Sequence, residues 1–121
     1  MSRVSFFVRG SPRPTITQGE RTWKLLITTT AQEYRSQCQT ASEDAHVTVQ
    51  LVFHLSAARL RDADLDNLCK PVLDTLFTIK ANPQSGALMA CNDSCVDRLV
   101  LEKHLAKSQE AEGMEVLVEW S

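Results

Sequence analysis

The sequence predicts one α+β domain over residues 1–121, a mixed or antiparallel sheet of about four strands with two main helices, in the order β, α, β, α, β, β. Three observations carry this. Val47, Val49, Leu51, Phe53 and Leu55 alternate with Thr48, Gln50, Val52 and His54, the period-two pattern of a half-buried strand. Downstream, Leu68, Val72, Leu73, Leu76, Phe77 and Ile79 recur at helical spacing. Near the two ends, RVSFFV (residues 3–8) and the one-faced set Met114, Val116, Val118 and Trp120 read as further strands. A chain of 121 residues supports a single core and no second module, so all functional residues belong to one fold.

Each element follows from its local chemistry. The first strand ends at Gly10, because GSPRP cannot continue a ladder. Residues 9–24 then read as a loop holding Pro12, Pro14, Gly10 and Gly19 among Arg9, Arg13, Arg21 and Lys24. From about Thr30 to Thr40, AQEYRSQCQ suits a helix, with threonines ahead as N-caps and Glu33 in its first turn. The central strand, residues 47–55, runs directly into SAARLRDADLDNL. Proline is tolerated only in a first helical turn, so the helix that holds Pro71 is expected to begin near Asn67 or later, capped by Asp66 or Asn67. Residues 80–92 read as a loop with room for a short apolar strand at its end. Cys95 to Leu105 and Met114 to Trp120 complete the sheet, separated by the polar turn AKSQEAEG.

Composition excludes several classes. Hydrophobic residues at 43% with charged residues at 23% describe a globular chain, not a disordered or fibrous one. Apolar runs are a few residues long, against the roughly 20 that span a bilayer. The start MSRVSFFVRG lacks a signal peptide's long apolar stretch and cleavage site, so the expected location is cytoplasmic, with no membrane partner. Of four cysteines only Cys91 and Cys95 stand close together, whereas structural zinc needs a second such pair; reduced, mostly buried thiols are expected. The net charge of −2 argues mildly against nucleic acid. Its distribution softens that: residues 1–30 hold Arg3, Arg9, Arg13, Arg21 and Lys24 against Glu20, a balance of +4, while residues 91–121 carry −4.

The chemistry-bearing cluster is Asp62-Ala63-Asp64-Leu65-Asp66-Asn67. If extended, it sends alternate carboxylates to one side, where like charges call for solvent or a hard cation such as magnesium, manganese or calcium. An EF-hand matches at Asp62, Asp64 and Asp66 but fails at Asn67, Lys70 and Leu73, where the loop needs Gly, a ninth-position ligand and a bidentate Glu. The Asp pairs of haloacid dehalogenase phosphatases and nucleotide-sugar glycosyltransferases belong to considerably larger folds. Any one Asp here is by default a cap or a solvated charge; the constellation is what changes the weighing. Asp97 reads as structural, and the scattered His46, His54 and His104 support neither zinc nor a triad. Trp23, between Arg21 and Lys24, either stacks on a base or closes a loop.

One resemblance uses most of the chain. The run Asp64-Leu65-Asp66-Asn67-Leu68-Cys69-Lys70-Pro71-Val72-Leu73-Asp74 is similar to the central motif of the RusA family of Holliday junction resolvases: an acid, any residue, Asp-Asn, two residues, Lys, three residues, Asp. Asn92-Asp93-Ser94-Cys95-Val96 resembles that family's second acidic motif, Leu101-Glu102-Lys103 with Met114 to Trp120 its closing hairpin, and Gly10 to Pro14 with Arg21-Thr22-Trp23 its proline- and arginine-rich opening loop. The resemblance implies a homodimeric, magnesium-dependent endonuclease, with manganese as possible substitute, that nicks four-way DNA symmetrically and leaves 5′-phosphates and 3′-hydroxyls. It implies metal-binding carboxylates at Asp64, Asp66 and Asp93, and Lys70 as the cation beside the scissile phosphate. Asp74, one helical turn after Lys70, is expected to support Lys70 or add a ligand, and Arg9, Arg13, Arg21 and Lys24 are expected to contact DNA phosphates. The chain departs from the family at Asn92, where a second acid is common, and carries Asp62 as an extra acid read as solvated surface. Other readings are a branched-DNA-binding protein of the same fold with little or no cleavage, and a small calcium- or magnesium-binding regulator.

Overall fold

In a computed structural model, which describes residues 2–39, 41, 44–79, 81–82 and 85–121, the alternating runs form strands β1 (Ser2–Arg9), β2 (Val47–Leu55), β3 (Val96–Leu105) and β4 (Gly113–Trp120). They make one mixed sheet in the order β1-β4-β2-β3. β4 lies antiparallel to both β1 and β2, and β3 runs parallel to β2 along one edge. A parallel neighbour requires a long crossover. Here it is built from two helices, α2 (Ala57–Asp62) and α3 (Leu65–Leu76), while α1 (Glu20–Gln32) joins β1 to β2.

The period-two pattern decides which face is covered. Val4, Phe6 and Val8 of β1, Val47 to Leu55 at every second position of β2, and Met114, Val116, Val118 and Trp120 of β4 are all buried. They share one core with Trp23, Ile27 and Ala31 of α1 and with Leu68, Cys69, Val72 and Leu76 of α3. Each such large apolar side chain contributes on the order of 2 kcal/mol on leaving water. The other sheet face stays open, an apolar concavity of about 920 Å³ whose lining includes Phe7, Val52, His54, His104 and Glu115.

Several expectations are corrected. The first helix covers Glu20–Gln32, not Thr30 to Thr40, and beyond it the chain makes a short 3-10 turn, Arg35–Cys38; Thr40 lies outside the described residues. Trp23, Ile27 and Ala31 supply the buried stripe of α1, and its unfavourable threonines are accommodated because the Thr28 and Thr29 hydroxyls donate to the Lys24 and Leu25 carbonyls at 2.9 Å. Gly19, at φ 90, takes the left-handed N-cap position that a side chain would strain.

Helix α3 begins at Leu65, with Asp64 as its N-cap, and runs through Pro71 without ending there. Pro71 is buried in the packed face, and tertiary burial outweighs the backbone hydrogen bond that proline forgoes. The acidic run is not extended, since Asp62 closes α2 and Asp66 lies in the first turn of α3. No short strand ends the 80–92 loop among the described residues, only the isolated bridges Thr78↔Asn92 and Ile79↔Asn82. Nor do β3 and β4 form a closing hairpin: β2 lies between them.

Candidate metal and DNA site

Helical spacing brings the central motif to bear on one surface. Asp66, Lys70 and Asp74 succeed one another at four-residue intervals along α3, so they project on one exposed side of it. Together with Cys69, Leu73, Asp93 and the β3 residues Leu99 and Leu101 they line a groove of about 270 Å³. Lys70 Nζ lies 3.7 Å from Asp74 Oδ2, an exposed pair whose contribution to stability is small. It holds the ammonium along the groove.

Asp93 reaches this groove from a 3-10 turn, Asp93–Cys95, built by its neighbour. The Asn92 side chain accepts from the Ser94 N–H at 3.0 Å and donates to the Thr78 carbonyl at 2.9 Å. The Thr78 N–H in turn donates to the Cys91 carbonyl at 3.0 Å, tying the turn to the chain that leaves α3. An amide can both donate and accept here, which a carboxylate cannot. The residue that departs from the family pattern is thus the one that positions Asp93.

The thiols under the groove feel its charge. Burial pushes the Cys69 thiol up to about 11, and the neighbouring Asp74 and Asp66 carboxylates add to the shift. Cys95 is pushed up to about 12, first by burial, then by its S–H bond and proximity to Cys91, with Asp93 a smaller contribution. Cys38, Cys69 and Cys91 are buried and Cys95 is half-buried, in keeping with the expectation of mostly buried thiols.

The structure brings together Asp66, Lys70, Asp74 and Asp93. Asp64 is not among the groove residues; its carboxylate accepts from Asn67 Nδ2 at 3.4 Å, just ahead of α3. Among the described residues no three His, Cys, Asp or Glu side chains are grouped to hold one cation. The donor set nonetheless fits magnesium in its usual manner, through one or two carboxylates with water and phosphate oxygens completing the shell. Asp66 and Asp93 present such oxygens to an open groove.

The expected DNA contacts are distributed more widely. Arg9, at the end of β1, donates to the Glu110 carbonyl at 3.4 Å, and Lys24 pairs with Glu20 at 3.4 Å. Arg21 is exposed on α1. Arg13 lies against Gly19, where an added Cβ would meet its Nε at 3.3 Å. Arg59 of α2 carries no signal in the sequence pattern: its Nη1 donates to Ser11 Oγ at 2.8 Å. Burial and then the Arg13 charge hold its guanidinium below the ordinary arginine range, against the opposing pull of Glu112. No spacing rule connects residues 13 and 59, and only the fold pairs them. Trp23 is 1% exposed, so it closes the loop and is not free to stack on a base; its indole N–H has no partner among the described residues.

Comparison with known proteins leaves the family open. No protein-family model matches the chain, and none of the curated proteins matches it.

Proposed function

We propose that the chain is a cytoplasmic, homodimeric, magnesium-dependent endodeoxyribonuclease of the RusA kind that cuts four-way DNA junctions. The observation that carries this reading is the groove in which Asp66, Lys70 and Asp74 of α3 meet Asp93 from a distant turn. Asp66 and Asp93 would hold the metal, which when bound supplies an acidified water and compensates charge on the phosphoryl oxygens. Lys70 brings a point charge to the scissile phosphate, and Asp74 keeps that ammonium over the groove. Arg13 and Arg59 would meet phosphates of the arms without reading sequence. Asp64 carries the resemblance but lies outside the groove lining, at the N-cap of α3.

The test is cleavage of a labelled synthetic four-way junction with and without magnesium, beside linear duplex. Paired nicks in the junction alone are expected. Asp66→Asn and Asp93→Asn should each lower the rate by about 100-fold or more, while junction binding stays within a few-fold. A folded protein that cuts nothing with magnesium or manganese overturns the reading. A branched-DNA-binding protein of this fold would bind the junction, leave it intact, and be indifferent to Asp93→Asn.

A further inference from the structure

We propose that Cys91 and Cys95 form a reversible intrachain disulfide, a dithiol site for a small disulfide oxidant such as oxidised glutathione, in a ring that encloses Asp93. Thiol geometry carries this, independently of the nuclease reading. Cys95 Sγ donates to Cys91 Sγ at 2.9 Å. A disulfide has its sulfurs at about 2.05 Å, so closure asks for a shift on the order of an ångström.

The backbone is already arranged for it. The Cys95 N–H donates to the Asn92 carbonyl at 3.1 Å, the Cys91 carbonyl accepts from Thr78, and the Asn92 side chain spans Ser94 and Thr78. Both cysteines are therefore held at the ends of one hydrogen-bonded turn, and little chain freedom remains to be lost on bonding. The other thiols are placed differently. Cys38 is 1% exposed and its Sγ donates to the Tyr34 carbonyl at 3.7 Å, while Cys69 sits on α3 beneath the groove.

Exposure sets the order of events. Cys91 is 2% exposed and Cys95 is half-buried, so the oxidant meets Cys95 first. Attack of the Cys95 sulfur on the oxidant's disulfide forms a mixed disulfide and releases one small thiol. Attack of the Cys91 sulfur on Cys95 Sγ forms the intrachain bond and releases the second. Two S–H bonds are broken and one S–S bond is made; two electrons and two protons pass to the oxidant, which ends as two thiols. The ring closes around Asn92, Asp93 and Ser94 and restrains the turn that carries the Asp93 carboxylate to the groove.

The experiment equilibrates the native full chain in glutathione buffers from fully reduced to fully oxidised. Samples are quenched in acid, alkylated in denaturant, and weighed intact and as peptides. The expected result is a fall from four alkylated cysteines to two, with the peptide holding Cys91 and Cys95 two hydrogens lighter, reversed by dithiothreitol. Cys95→Ser, at a half-exposed position, should keep its remaining thiols alkylatable throughout, and amide exchange at Ser94 and Cys95 should slow on oxidation of the wild type. Four alkylated cysteines in the most oxidising buffer, a bond that maps to Cys38 or Cys69, or a stable glutathione adduct on Cys95 without ring closure would each overturn the proposal.

Discussion

Ile16 sits at φ 60 with its side chain 90% exposed, a β-branched residue in the left-handed region that gains almost nothing from burial. Such a conformation costs about 1–2 kcal/mol outside glycine. It is held by its N–H, which donates to Glu20 Oε1 at 2.9 Å. Ile16→Gly should therefore raise unfolding stability in urea by roughly 0.5–1 kcal/mol, the strain relieved exceeding glycine's extra freedom in the unfolded chain. The same contact holds the Glu20 carboxyl below its ordinary 4.5, opposed by partial desolvation and helped by Lys24. A carboxyl whose folded value is depressed stabilises the fold above its unfolded value and loses that contribution as pH falls through the folded one. Stability should thus decline as pH drops below 4.5, and Glu20→Gln should flatten that limb in acid-unfolding curves. A wild-type and variant limb of equal slope would remove Glu20 from the account.

Strand β4 depends on a single glycine for its place in the centre of the sheet. Gly113 has φ 154, pairs with Arg9 of β1 and His54 of β2, and an added Cβ would stand 2.3 Å from the Val8 carbonyl oxygen and 2.6 Å from Phe7 Cζ. The nearest obstacle is backbone, which cannot rotate away. Gly113→Ala should lower stability by about 2–3 kcal/mol, read as a shifted urea midpoint with an unchanged slope. Helix α3 shows the opposite case, a local rule overridden. Read alone, Pro71 places the helix start near Asn67; in the fold, burial of Pro71 and its neighbours carries the helix from Leu65 to Leu76. The four-residue spacing of Asp66, Lys70 and Asp74 was legible because all three lie inside that helix. Asp64 lies outside that repeat, as the cap residue in extended conformation just ahead of the helix.

A net charge of −2 would disfavour nucleic acid if it were evenly spread. The fold instead brings the Arg13 charge within reach of Arg59, whose guanidinium also donates to Ser11, with Glu112 opposing the repulsion. Junction affinity should fall steeply as salt rises, and Arg13→Ala or Arg59→Ala should each reduce the slope of log K against log salt by about one. An unchanged slope in both variants would place the DNA path elsewhere on the surface. Among the described residues no helix is long and apolar enough to cross a membrane.

By itself the sequence determined the α+β class, the strands, and the inward sets of β2 and β4, because alternation is a local property that survives any arrangement of the sheet. It also marked Asp66, Lys70 and Asp74 at four-residue intervals, within the run that resembles the RusA central motif. The arrangement was decided in three dimensions. That β3 pairs parallel with β2 and not with β4, that Glu20–Gln32 is the helix, and that Asp93 joins α3 all result from which apolar faces cover one another. So does the proximity of Arg13 to Arg59. These depend on burial and hydrogen bonds between segments far apart in the chain, and no periodicity within a segment records them.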